Sequence, residues 1–268
     1  MNGNKTVLGL VGSPNSGGLT NQLVTAALES AARAGAAIEL VQMSDHVVNA
    51  CRDCLPWVCN TNLKCTYEDE NFEMLSNKIL NCGGLVLGTP VYLWDTSAMV
   101  KYLILKMFRV FGLSGRLDGL PALGIAIAGG TGNGLISGLR PVYHFFQFMQ
   151  MRALEPVPVT RFNLDQATKR AEELGHNIAG MIQEHNPFGS RDECLHWYDR
   201  LPYLGENRAA ERRLLAALTF EAIPEGRRLD IEGDLARADI LAASGRSLDA
   251  MTEISKVIIS CSKIFNEK

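Results

Sequence analysis

The sequence lacks an excess of positive charge: 26 Lys and Arg are outnumbered by 29 Asp and Glu, for a formal net charge of -3. That balance offers no electrostatic footprint for nucleic acid, so no nucleic-acid partner is expected. No apolar run is long enough to cross a bilayer. Met1 to Lys5 lead into the short apolar stretch Thr6 to Val11 and then a Gly/Ser loop, without the longer apolar core and cleavage site of a secretory leader. A cytoplasmic protein with no membrane partner is the expectation. Histidine is scarce, at five residues, and none has metal-ligand spacing. Two phosphate-binding signatures are also missing. Gly18-Leu19-Thr20 carries no Walker lysine, and Gly9, Gly12, Gly17 and Gly18 do not have the G-x-G-x-x-G spacing of a dinucleotide fold.

What is present is cysteine. Seven cysteines without a secretory leader favour reduced thiols or metal ligation over disulfides. Four of them, Cys51, Cys54, Cys59 and Cys65, fall within fifteen residues as C-x2-C-x4-C-x5-C. Ligation by cysteine alone suits an iron-sulfur cluster or a structural zinc, and a metal-free loop is the third alternative. Cys82, Cys194 and Cys261 are isolated and read as small buried thiols.

Short apolar runs alternate with segments of helical period through residues 1–186, the pattern of a parallel sheet covered on both faces. The expected strands are Thr6 to Val11, Ala37 to Met43, Gly84 to Gly88, Ala122 to Ala128 and Glu155 to Val159. The expected helices are Thr20 to Ala34, Glu70 to Asn81, Ser97 to Phe111, Ser137 to Met151 and Leu164 to Glu184. The economical fold is α/β: a five-stranded, doubly wound parallel sheet. From residue 187 to 268 the alternation stops, and a helical extension is expected over Asn207 to Phe220, Leu229 to Ala243 and Leu248 to Phe265, broken at Pro224-Glu225-Gly226 and Ser244-Gly245-Arg246.

Doubly wound sheets bind ligands beyond the carboxyl ends of their strands, which singles out three loops. Gly12-Ser13-Pro14-Asn15-Ser16-Gly17-Gly18-Leu19-Thr20 offers hydroxyls, an amide and backbone N–H groups but no positive side chain, which suits a terminal phosphate monoester. Thr89-Pro90-Val91-Tyr92-Leu93-Trp94 brings two aromatics to the end of the third strand, where they either flank a planar ring or plug the sheet. Gly129-Gly130-Thr131-Gly132-Asn133-Gly134 permits close approach of backbone to a ligand, or a tight turn. His144 sits among phenylalanines and reads as a packing residue. His196-Trp197-Tyr198 either lines a substrate entrance or anchors the extension. Arg208, Arg212 and Arg213 read as a solvated or interface face, with a carboxylate or phosphate site as the alternative.

Taken in order, these loops resemble the NAD(P)H-dependent FMN reductase-like flavoproteins of flavodoxin-like fold, over roughly Lys5 to His185. Gly12, Ser13, Pro14, Gly18 and Thr20 match the family's G-S-P-R-x-x-G-N-T loop, with Asn15 in place of arginine and Leu19 in place of asparagine. Gly88-Thr89-Pro90-Val91-Tyr92 matches G-S/T-P-V-Y, and Ser97-Ala98-Met99-Val100-Lys101 matches S-A-x-x-K. The resemblance implies FMN, with its phosphate at Ser13, Asn15, Ser16, Gly18, Leu19 and Thr20. Its ring would lie between Pro90, Val91, Tyr92, Leu93 and Trp94 on one side and Gly129, Gly130, Thr131 and Gly132 on the other.

The cysteine run lies where the iron-sulfur flavoprotein subgroup carries its cluster motif, though that motif is more compact. Cys59 is the residue that completes a ligand set, and [4Fe-4S] is the implied cluster. The implied activity is electron transfer from NAD(P)H or a reduced carrier to a small acceptor or redox partner, with no side chain acting as a nucleophile. A dedicated electron carrier and a redox-sensing FMN or metal protein are the alternatives. An enzyme would close its pocket with Trp94, His196 and Trp197, whereas a carrier would leave the flavin edge open. Relatives commonly form dimers or tetramers, so a homo-oligomer is expected.

Overall fold

Leucine- and valine-rich Thr6–Val11 forms β1, buried from Val7 onward, and its alternating side chains feed two separate cores. The computed structural model describes residues 6–54, 58–184 and 186–267, so the leader reading of Met1 to Lys5 falls outside the described residues. After β1 come α1 (Leu19–Arg33), β2 (Ala37–Gln42), a short α2 (Val58–Asn62), α3 (Glu70–Asn81) and β3 (Gly84–Tyr92). The chain continues through β4 (Asp95–Thr96), α4 (Ala98–Phe111), β5 (Pro121–Ala128), α5 (Arg140–Phe148), β6 (Arg152–Ala153), β7 (Val157–Thr160) and α6 (Leu164–Met181). The extension adds α7 (Arg191–Asp199), α8 (Arg208–Ala222), α9 (Leu229–Ala243) and α10 (Ser247–Phe265).

The sheet runs β2-β1-β3-β5, with β6 and β7 both on the far side of β5; every pairing is parallel except the β3–β4 hairpin. Leu8 and Leu10 face α3, α4 and α5, whereas Val7 and Val11 face α1 and α6. Each fully buried leucine or valine contributes about 1.5–3 kcal/mol, so the two cores supply most of what holds the layers.

The expected fifth strand is interrupted. β6 pairs with Pro121 and Ala122, β7 pairs with Ile125 to Ala128, and Leu154 to Pro156 separate them. Tyr143 of α5 fills the break: its buried hydroxyl accepts from Gly124 N–H at 3.1 Å and donates to Leu154 O at 3.0 Å. Two sheet groups that do not meet each other are thus satisfied by one side chain.

The helix expected from Ser137 starts instead at Arg140. Residues 136 and 137 give their N–H groups to Glu211, at 3.1 and 3.3 Å, and Pro141 stands in the first turn. Helices α2 and α7 are additional to the expected set. Among the described residues, no helix is long and apolar enough to cross a membrane.

Candidate functional site

The three loops leave the carboxyl ends of β1, β3 and β5, and the backbone locks the first two together. Gly12 N–H donates to Gly88 O at 2.8 Å, and the buried Ser97 hydroxyl, which also caps α4, donates to Gly12 O at 2.7 Å. A Cβ at Gly12 would lie 2.2 Å from Val100 Cγ2, so this approach requires glycine.

Within the first loop, Asn15 shapes the turn: its Oδ1 accepts from Gly17 N–H at 3.1 Å and its carbonyl accepts from Gly18 N–H at 3.2 Å. The residue standing where the resemblance has arginine therefore supplies geometry rather than charge. Ser13 and Thr20 are buried, and Ser16 is exposed. Leu19 packs on the α1/α6 core. Gly18 is the N-cap of α1 and no side chain bonds the free N–H groups of its first turn, a pattern suited to an anion.

The second loop is a tight hairpin. Val91 pairs with Thr96 and Tyr92 with Asp95, leaving Leu93 and Trp94 as a two-residue turn at φ +53 and +60. Such turns normally use Asn-Gly or Gly-Gly, because other residues pay for left-handed backbone. The Thr89 hydroxyl sets the hairpin from below, accepting from Thr96 O–H at 2.7 Å and Ser97 N–H at 3.0 Å and donating to Pro90 O at 3.0 Å. Tyr92 and Trp94 each keep 52% of their surface exposed, presenting aromatic faces for stacking.

Val91, Leu93 and Trp94 join Gly129, Gly130, Thr131 and Gly132 around one cavity of about 290 Å³, to which Ala128 and Asn133 also contribute. Pro90 and Tyr92 lie on the same hairpin beside it, and the first loop is tied to the end of β3 through the Gly12–Gly88 contact. Sequence reasoning missed Glu211. Its buried carboxylate accepts from Ile136 N–H, Ser137 N–H and, at 2.7 Å, the Ser137 hydroxyl, which pins α8 to the end of the glycine loop. A glutamate in an Ala/Arg-rich helix gives no sequence signal for this.

His196 and Trp197 do not share a pocket with Trp94. Trp197 Nε1 donates to Ala153 O at 2.9 Å, and Ala153 pairs with Ala122 near the amino end of β5, the end of the sheet opposite the three loops. Arg152 completes the attachment: its Nε donates to Asn186 O at 2.7 Å, and its guanidinium covers the Phe188 ring at 4.1 Å. This segment anchors the extension. His144 lines a separate cavity of about 420 Å³ with Gly112, Phe148 and Cys194.

The cysteine segment is held at both feet. Buried Asp69 caps α3 through Phe72 N–H at 3.1 Å, accepts from Asn49 N–H at 2.9 Å and pairs with buried Lys106 of α4. Burial pushes the Asp69 carboxyl up, but the Lys106 ammonium and the two N–H groups outweigh it and hold it below the ordinary carboxylate range. Between the feet, Arg109 of α4 gathers two cysteines: Nη2 donates to Cys54 O at 3.2 Å, and the buried Cys59 thiol donates to Arg109 O at 3.4 Å. Cys51, Cys54 and Cys65 are half-buried. Among the described residues, no three His, Cys, Asp or Glu side chains stand close enough to hold a metal. As arranged here, the four thiols share a segment without forming a cage.

A parallel sheet in flavodoxin order, with an uncapped helix N-terminus and a cavity of about 290 Å³ at its carboxyl edge, is the arrangement of flavin-binding α/β proteins. The chain belongs to the NADPH-dependent FMN reductase family, whose model matches residues 6–169. It is an FMN-dependent oxidoreductase of the NAD(P)H type. It is 31% identical over 148 residues to an iron-sulfur flavoprotein of Methanocaldococcus jannaschii, covering 54% of this chain and 73% of that protein. Identity to an iron-sulfur flavoprotein of Archaeoglobus fulgidus is 26% over 211 residues, covering 75% and 90%. Among solved structures, a flavone reductase superposes with a TM-score of 0.54 at 16% identity, covering 70% of this chain and 69% of the other. An NAD(P)H:quinone oxidoreductase from Methanothermobacter marburgensis gives a TM-score of 0.52 at 15% identity, covering 68% and 99%. At these identities the two structures speak for the fold.

Proposed function

We propose that residues 1–186 hold FMN and pass electrons from NAD(P)H or a reduced carrier to a small acceptor or redox partner, while 187–268 complete the surroundings of the flavin. The observation carrying this reading is the convergence of three loops at one sheet edge, with Gly12 fused to Gly88 and a cavity of about 290 Å³ between the Trp94 hairpin and the glycine loop. Ser13, Asn15, Ser16, Gly18, Leu19 and Thr20 would hold the phosphate. Pro90 to Trp94 and Gly129 to Gly132 would flank the ring. FMN supplies the chemistry, accepting electrons in pairs from a nicotinamide and delivering them onward. The side chains orient and shield. The exposed Leu93, at 90%, and the half-exposed Tyr92 and Trp94 favour a second reading, a carrier that offers its flavin edge to another protein. Rapid turnover with NADPH and a small quinone would support the enzyme; reduction only by a protein donor would support the carrier.

Cys51, Cys54, Cys59 and Cys65 are proposed as the seat of an iron-sulfur cluster, [4Fe-4S] in type. The support is their spacing and the names of the archaeal relatives. Because the Cys59 thiol of α2 is buried against Arg109 O of α4, holding a cluster would require that contact to break. Iron, sulfide, zinc and flavin analysis of protein purified without oxygen tests both cofactors. Iron and sulfide near four per chain support the cluster, whereas zinc or no metal reduces the segment to a structural loop.

A further inference from the structure

Beyond the flavin cavity, the glycine loop forms one wall of a second cavity of about 750 Å³, closed on its other side by α8 and α10. The two spaces share Gly130, Thr131 and Asn133. Three cationic side chains from three elements line the second: Arg161 just past β7, Arg212 of α8 and Lys263 of α10. Among the described residues, no acidic side chain lines it. Among the described residues, no carboxylate pairs with either arginine. Arg212 Nη2 donates to Ser255 Oγ at 2.7 Å, Arg161 Nη1 donates to Asn266 Oδ1 at 2.9 Å, and the Nε of each is buried without an acceptor. Rings behind Arg161, Phe162 at 4.8 Å and Phe265 at 5.9 Å, hold its guanidinium in place. Other arginines of the extension do have carboxylate partners, as Arg213 has Asp239 at 2.6 Å and Arg246 has Asp249 at 2.8 Å. Uncompensated, fixed guanidinium groups in a concave site are a recognition surface for phosphate.

The geometry points to a phosphate-binding subsite, built from Arg161, Arg212 and Lys263, for a substrate whose reacting end lies at the flavin cavity. Arg161 stands at the carboxyl end of the sheet beside the strand that feeds the glycine loop, since Thr160 pairs with Ala128. A ligand spanning the shared wall would place a planar ring against Trp94 and its phosphates against the arginines. If the proposed donor is correct, the phosphates are those of the nicotinamide dinucleotide. A phosphorylated acceptor has the same chemistry and would occupy the same subsite.

The test uses the FMN-loaded full chain, titrated calorimetrically with 2′,5′-ADP and with inorganic pyrophosphate, beside an Arg161→Ala/Arg212→Ala variant. Binding is expected to weaken about tenfold or more in the variant, with FMN content and melting temperature unchanged. Equal affinity in both proteins, or no binding by the unaltered chain, overturns the subsite. The source of the phosphate is read from kinetics. A rise in the KM for NADPH at constant kcat assigns the subsite to the donor, and a KM for NADH left unmoved narrows that to the 2′-phosphate. Unmoved NADPH constants with weakened pyrophosphate binding assign the subsite to a phosphorylated acceptor. A chain that neither nucleotide reduces, yet which binds pyrophosphate through these arginines, refutes the donor and keeps the subsite. Should the double variant fail to fold, Lys263→Glu on the exposed rim carries the same comparison.

Discussion

At the scale of single residues, the site depends on atoms that are absent and charges that are paired. Gly12→Ala places a methyl 2.2 Å from Val100 Cγ2 and 2.9 Å from Gly88 O, so the first two loops must part. Overpacking of this kind costs about 1–3 kcal/mol, and FMN affinity should fall together with melting temperature. Asp69→Asn removes one partner of the buried pair with Lys106 and should destabilise by about 3–5 kcal/mol in denaturant titration. Because the folded pKa of Asp69 is depressed, its contribution is present above the unfolded value of about 3.9 and is lost as pH falls through the folded value. The unaltered chain should therefore lose stability on acidification in a window that Asp69→Asn lacks; matching acid profiles would show that the pair is not responsible. Neither residue announces itself equally in sequence. Gly12 belongs to a motif, whereas Asp69 and Lys106 are 37 positions apart and join only when α3 meets α4.

At the scale of elements, the strand and helix periods were legible because burial alternates with the backbone repeat. The start of β1 and both ends of α3 and α9 agree with what the sequence implies. Two features were not legible. The break between β6 and β7 depends on a tyrosine eleven residues upstream of Leu154, which no local pattern encodes. The Leu93-Trp94 turn contradicts ordinary turn chemistry, and such local conflict is common where a ligand site dictates the backbone. Trp94→Gly should relieve about 1–2 kcal/mol of left-handed strain while weakening FMN binding. A variant with lower stability and unchanged FMN affinity would deny the hairpin a role at the flavin. Tyr143→Phe leaves a buried N–H and carbonyl without their bridge and should cost about 1–3 kcal/mol in thermal or denaturant unfolding.

At the scale of the whole molecule, the extension is attached at both ends of the sheet, by Trp197 and Arg152 at one and by Glu211 at the other. The sequence showed its helices and, in His196-Trp197-Tyr198, one of two readings that included an anchor, but not the Glu211 contact, because a glutamate in an Ala/Arg-rich helix looks like any solvated side chain. Glu211→Ala frees the turn after the glycine loop and should raise the KM for the electron donor while leaving FMN bound; an unchanged KM would detach α8 from the site. Tyr102, Leu105 and Phe108 of α4 are partly exposed beside Phe148 and the more exposed Leu113, an apolar surface suited to a second copy of the chain. Light scattering after size exclusion should show a dimer or larger, and a monomer at working concentrations would contradict that.

The central claim is that three loops at one sheet edge hold a flavin that a nicotinamide nucleotide reduces. Its most direct test is anaerobic titration of FMN-saturated protein with NADPH, following flavin absorbance. The account predicts about one FMN per chain, bleached by an equivalent of NADPH. A chain that retains no flavin after saturation, or whose bound flavin no nicotinamide nucleotide bleaches, would contradict it.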